Sequence, residues 1–152
     1  MSRKGFTIIE VLVVILIMGL IMGVGAVSYR DFQRKQMVVA AKRTVLADVR
    51  AAAADVASGR KPDGCTGTLT GYSFEVMALN PASYKINAVC DGGTALVKEV
   101  RIPGISFDSL PIVTFLPLSE GTDLSSPVTL TILSSSTSYT EKLEISPSGV
   151  IK

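Results

Sequence analysis

Between Gly5 and Val27 the chain reads GFTIIEVLVVILIMGLIMGVGAV, and no other stretch limits so strongly what the molecule can become. From Phe6 to Val27 every residue is apolar or small except Thr7 and Glu10. A helix of this length reaches across a hydrocarbon core about 30 Å thick, so the segment predicts a single membrane-spanning helix. Glu10 is the anomaly. A carboxylate inside a spanning segment costs about 2.5–3.5 kcal/mol on insertion scales and requires a partner or a function.

The 152 residues leave room beyond that segment for one modest soluble domain. The chain carries 15 basic and 13 acidic residues, a net +2, and no histidine. That balance does not call for a nucleic-acid partner, and the end Gly149-Val150-Ile151-Lys152 offers one lysine rather than a basic tail. Without histidine, Ser-His-Asp and Cys-His nucleophile arrangements are excluded, and neither a P-loop nor a G-x-G-x-x-G occurs. Two cysteines without histidine do not make a zinc shell, and Asp91, Glu120 and Asp123 are too scattered for a calcium cage. No catalytic residue, metal or cofactor is predicted.

The head of the chain, Met1-Ser2-Arg3-Lys4-Gly5, is short and basic and joins the apolar run directly. A secretory signal places its small-residue cleavage site after the apolar region, and Val24-Gly25-Ala26 is a poor site of that kind. Cleavage is therefore expected before the apolar run. Arg3 and Lys4 favour a cytoplasmic N-terminus, while Arg30, Arg34 and Lys35 on the far flank oppose it.

The stretch Lys4-Gly5-Phe6-Thr7-Ile8-Ile9-Glu10-Val11-Leu12 resembles the prepilin cleavage and methylation signature of type IV pilins and type II secretion pseudopilins. It combines a basic leader ending in Gly, a Phe at the new N-terminus, an acid four residues on and an apolar helix. The resemblance implies that a prepilin peptidase cuts between Gly5 and Phe6 and N-methylates Phe6. It also implies that Glu10 is an assembly residue, meeting the N-terminal amine of a neighbouring subunit. Two charges, each costly in a low dielectric, would neutralise one another and set the register between helices. The competing reading is a glutamate that reaches to the membrane interface. Related pilins often carry proline at the position of Val27, which is absent here. Gly19, Gly23 and Gly25 are left as the candidate hinge, with close helix packing as the equal alternative.

After Ser28 the pattern becomes amphipathic. Val38, Ala41, Val45, Val49, Ala52 and Val56 recur at steps of three and four, with Lys42, Arg43, Asp48, Arg50 and Asp55 mainly elsewhere on the wheel. One continuous helix from Phe6 to Ala57 is predicted, about 80 Å long at 1.5 Å per residue, with Ser58-Gly59 as its stop. Arg30, Asp31, Arg34 and Lys35 form a solvated face or meet neighbouring subunits. Beyond Gly59 the punctuation is that of β structure. Strands are expected at 72–77, 84–90, 95–102, 112–115, 128–133 and 139–145, with a hairpin turn at Asp91-Gly92-Gly93 and a short edge at 149–151. The fold class is α+β: a long N-terminal helix, membrane half plus amphipathic half, packed on an antiparallel β-sheet.

Cys65 and Cys90 are a candidate disulfide if the domain lies outside the cytoplasm, worth about 3 kcal/mol; the alternative is two separate thiols in the core. Phe115-Leu116-Pro117 with Gly121, and Ile145-Ser146-Pro147-Ser148-Gly149-Val150, resemble the C-terminal part of minor pseudopilins of the H type. The expected organisation is a leader at 1–5, a transmembrane and assembly half at 6–27, an amphipathic half at 28–58 and a β domain at 59–152. The expected function is that of a filament subunit, a minor one, of a type IV pilus or type II secretion-like system. Its expected partners are other pilin subunits, prepilin peptidase, a membrane assembly platform and lipid. The precursor would sit in the cytoplasmic (inner) membrane with its domain extracytoplasmic, and the filament would be periplasmic or extracellular. The alternative is a single-pass membrane-anchored binding domain that does not polymerise.

Overall fold

The computed structural model of the chain describes residues 5, 7–119, 121–136 and 138–152, with side chains for all of these except 24–28 and 119. Helix α1 runs unbroken from Ile8 to Ala57. Thr7 is its N-cap, with extended backbone and a side-chain oxygen that accepts from the Glu10 N–H at 3.4 Å. The helix therefore starts two residues later than the sequence suggests, because the capping residue holds non-helical backbone. At the far end Gly59, at φ +66°, takes the left-handed conformation. The Gly59 N–H donates to the Val56 carbonyl and the Arg60 N–H to the Asp55 carbonyl, at 3.1 and 2.8 Å. This is a Schellman closure, and it stops the rod where Ser58-Gly59 was expected to.

Among the described residues seven strands follow, and they form two antiparallel sheets rather than one. Strands β1 (Leu69–Ala78), β2 (Ala82–Cys90), β3 (Gly93–Ile102) and β5 (Ile112–Phe115) make a four-stranded sheet in the order β3-β2-β1-β5. Strands β4 (Ile105–Phe107), β6 (Val128–Ser134) and β7 (Thr140–Ile145) make a three-stranded sheet in the order β4-β6-β7. The β2–β3 hairpin pairs Cys90 with Gly93 across Asp91-Gly92, the turn read from the sequence. The edge expected at 149–151 is a single bridge between Ile151 and Ile145.

One stripe of α1 serves both sheets. Val38, Ala41, Val45, Val49, Ala52 and Val56, the residues of the predicted apolar stripe, are all buried. Facing them are Tyr72, Phe74, Val76, Tyr84 and Ile86 from the larger sheet and Leu130, Ile132, Leu143 and Ile145 from the smaller. The rings of Phe74 and Tyr84 lie 5.3 Å apart. Inward-pointing residues alternate along the strands, so the helix supplies the cover that each sheet needs on one face.

Charged residues flanking the stripe fasten helix to sheets. Asp48, largely buried, accepts from the Tyr84 hydroxyl and from Lys98 Nζ, each at 2.7 Å. Burial, and then this hydrogen bond, raise the Tyr84 phenol pKa well above its ordinary value. On the other side Lys42 Nζ meets the Glu141 carboxylate at 3.0 Å, and an Arg50 guanidinium nitrogen donates to the Ile151 carbonyl at 3.3 Å. These charges were read as lying off the apolar stripe, which left their role as clamps unseen.

Candidate functional site

The first turn of α1 carries the chemistry singled out by the sequence. Gly5 is exposed, and a Cβ built on it would meet nothing within 4 Å. Phe6 lies outside the described residues. Glu10 is the third residue of the helix and its only acid in the first turn, close to the positive end of the helix dipole. Thr7-Ile8-Ile9-Glu10 has the T-x-x-E spacing of a capping box. Half of that box forms, the Thr7 side chain accepting from the Glu10 N–H, and the motif was readable in the sequence. Among the described residues the Glu10 carboxylate makes no ion pair or hydrogen bond of its own.

The half of α1 that follows is unlike the half that packs. From Ile8 to Gly23 every residue is exposed, and the exposed apolar residues lie on all sides of the helix, from Ile8 at 85% to Met22 at 73%. Gly19 and Gly23 face open space, and helical backbone continues through both and through Gly25. A helix apolar all round is one whose partner is lipid or other protein. Among the described residues no helix is long and apolar enough to cross a membrane. Side chains are described without interruption from Ile8 to Gly23, a rise of about 24 Å, short of a core of about 30 Å. The Phe6–Val27 segment read from the sequence extends past those residues at both ends.

Just beyond the apolar half, Tyr29 and Phe32 are exposed at 61% and 58%. Aromatic side chains are enriched where a helix leaves a bilayer, a signal the sequence carried and the reading above passed over. Arg34 pairs with Asp31 at 3.7 Å, and Lys35 Nζ lies 5.9 Å from the centroid of the Tyr139 ring. The group first read as a solvated or neighbour-binding face thus reaches the turn between β6 and β7. The Tyr139 hydroxyl donates to Glu141 at 2.7 Å. That bond and the one from Lys42 hold the Glu141 carboxyl below its ordinary value.

Cys65 and Cys90 form a disulfide, with Cα atoms 5.8 Å apart, tying the loop after α1 to the end of β2. The two C-terminal stretches noted in the sequence meet one another. The Thr122 N–H donates to the Pro147 carbonyl at 2.9 Å, and a Cβ on Gly149 would lie 3.5 Å from the Gly121 Cα. Of the acids considered for calcium, Asp91 accepts from the Thr68 N–H and Asp123 from the Thr114 N–H. Glu120 lies outside the described residues. Among the described residues no three of His, Cys, Asp or Glu converge on a metal position.

Residues 1–26 match the family model of the prokaryotic N-terminal methylation motif. That motif marks the type IV pilin and pseudopilin family. The match, which spans 26 of the 152 residues, supports a pilin-like N-terminus of the kind processed by prepilin peptidase. Comparison with curated proteins and with solved structures finds no match.

Proposed function

We propose that this protein is a minor structural subunit of a type IV pilus or type II secretion-like filament. In this reading prepilin peptidase cuts between Gly5 and Phe6 and methylates Phe6, and the mature subunit waits in the cytoplasmic membrane with residues 59–152 outside the cytoplasm. Assembly then brings the apolar half of α1 from lipid into the filament core, where Glu10 meets the Phe6 amine of a neighbour. The two opposite charges would compensate each other in a low-dielectric core. Gly19, Gly23 and Gly25 would either let neighbouring helices approach or let the rod stretch. The minor role rests on the likeness of the 115–121 and 145–150 stretches to H-type minor pseudopilins.

The observation that carries this reading is the methylation motif running into one unbroken helix, exposed and apolar at one end and buried against the head at the other. A simple tether has no use for the Gly5-Phe6 junction. The test is intact mass and N-terminal fragmentation of the chain made with a prepilin peptidase, beside Gly5→Ala and Glu10→Ala variants. The expected product starts at methylated Phe6, with Gly5→Ala uncut and Glu10→Ala cut but poorly incorporated into filaments. A start at Met1, or a cut after the apolar run, would point instead to a tethered domain that does not polymerise.

A further inference from the structure

Where α1 enters the head, a hollow of about 560 Å³ opens between the helix and the β6–β7 turn, lined by Asp31, Arg34, Lys35, Ser136, Ser138 and Tyr139. Its chemistry is that of an anion site. Two cationic side chains face two hydroxyls, and the single lining carboxylate, Asp31, is engaged by Arg34 at 3.7 Å. Glu141, the nearest acid on β7, is already held by Lys42 and the Tyr139 hydroxyl. Lys35 sits over the Tyr139 ring and finds no carboxylate among the described residues.

Depth along the helix says which anion. Arg34 follows Val27 by seven residues, about 10 Å of rise. Side chains on a helix lean toward its N-terminus, so the Arg34 and Lys35 head groups reach back about a turn toward the apolar half. Exposed Tyr29 and Phe32 lie between, where an aromatic belt would sit, and Arg30 adds a third cation on the Arg34 face, four residues earlier. The polar layer outside the hydrocarbon core is about 5–8 Å thick on each side, so these cations reach the level of lipid phosphates.

The geometry points to this hollow as a site for the phosphate of an anionic phospholipid headgroup, occupied while the subunit is held in the bilayer. It rests on the membrane-anchored reading above. Lys35, which has no carboxylate partner among the described residues, and Arg34, whose guanidinium is shared with Asp31 at 3.7 Å, bind the charge. Ser138 offers a hydroxyl donor, the Ser136 hydroxyl lies 3.3 Å from that of Ser134, and Tyr139 lines the hollow beneath Lys35.

The test uses the full chain in neutral detergent, titrated with phosphatidylglycerol and followed by native mass spectrometry as one-to-one adducts. Three further arms are inorganic phosphate, a phosphate-free glycosyl diacylglycerol, and the same lipid titrated into an Arg34→Gln/Lys35→Gln variant whose circular dichroism matches wild type. Expected are saturable binding of phosphatidylglycerol and a loss of about thirtyfold in the variant, the combined worth of two basic residues at an anionic surface. Arg43→Gln, on the same helix but outside the hollow, is expected to bind as wild type. Equal binding of the phosphate-free lipid, or no loss in the double variant, overturns the site. Inorganic phosphate binding as tightly as the lipid overturns the lipid as its occupant. Flotation with phosphatidylcholine vesicles separates the two readings: a chain that does not float sinks the membrane anchor and this site with it. A chain that floats without preferring phosphatidylglycerol sinks the site alone.

Discussion

Asp108 shows how one carboxylate can hold a strand edge. Its Oδ1 accepts the Thr131 N–H at 2.8 Å and the Ser109 hydroxyl at 3.0 Å, and its own N–H donates to the Thr131 carbonyl at 3.2 Å. Burial works to raise this carboxyl, but the hydrogen bonds from Thr131 and Ser109 outweigh it and hold the group below the usual carboxylate range. A depressed folded-state value means stability that is present above the unfolded value, about 3.9, and lost as pH falls through the folded one. Urea unfolding of the full chain in detergent as a function of pH is therefore expected to show an acid limb that Asp108→Asn flattens below about pH 4. An unchanged acid limb in the variant would mean that Asp108 is not the group responsible. Residue-scale roles of this kind are poorly legible in sequence. Asp48 was read only as lying off the apolar stripe, Asp123 was weighed as a calcium ligand and Asp108 was not singled out, and their partners Tyr84, Thr114 and Thr131 reach them only through the fold. Glu10 stands out in the sequence because it is the one charge in the run from Phe6 to Val27.

At the scale of elements, Gly121 and the 146–149 turn bring two separated stretches of chain into contact. Gly121 adopts φ +85°, and a Cβ there would strike the Pro147 carbonyl oxygen and lie 3.1 Å from the Ser148 Cα. Both faults are in backbone, which cannot swing aside. Gly121→Ala is expected to cost at least about 1–2 kcal/mol from the left-handed backbone alone, before any clash is counted. The measurement is the urea midpoint of the full chain, and a shift no larger than that of a surface substitution would contradict the account. Most elements were legible from local pattern: the stripe from Val38 to Val56 by its helical period, β1, β2, β6 and β7 by alternation, the hairpin by Asp91-Gly92. Strand β4 was not, because three residues, Ile105 to Phe107, are too few to show a period. The division into two sheets was hidden for another reason. It depends on which strands become neighbours in space, and β4 and β5 change sheets without any local sign.

For the whole molecule, the disulfide ties the loop after α1 to the larger sheet, joining Cys65 and Cys90 across a sequence separation of 25. Loop-closure entropy sets its worth at about 3 kcal/mol. Unfolding the full chain in detergent with and without a reductant is expected to differ by about that amount, and by nothing in a Cys65→Ser/Cys90→Ser variant. A difference that persists in the double variant would assign the effect to something other than the bridge. The clamps between helix and sheets are also spaced along α1 between Lys42 and Arg50. Lys42 holds β7, Asp48 holds β2 and β3, and Arg50 holds the strand end at Ile151. A pull along the axis of α1 therefore loads them side by side rather than one after another. The head resists such a pull as a bolt resists shear, and would come away easily only if peeled from one end.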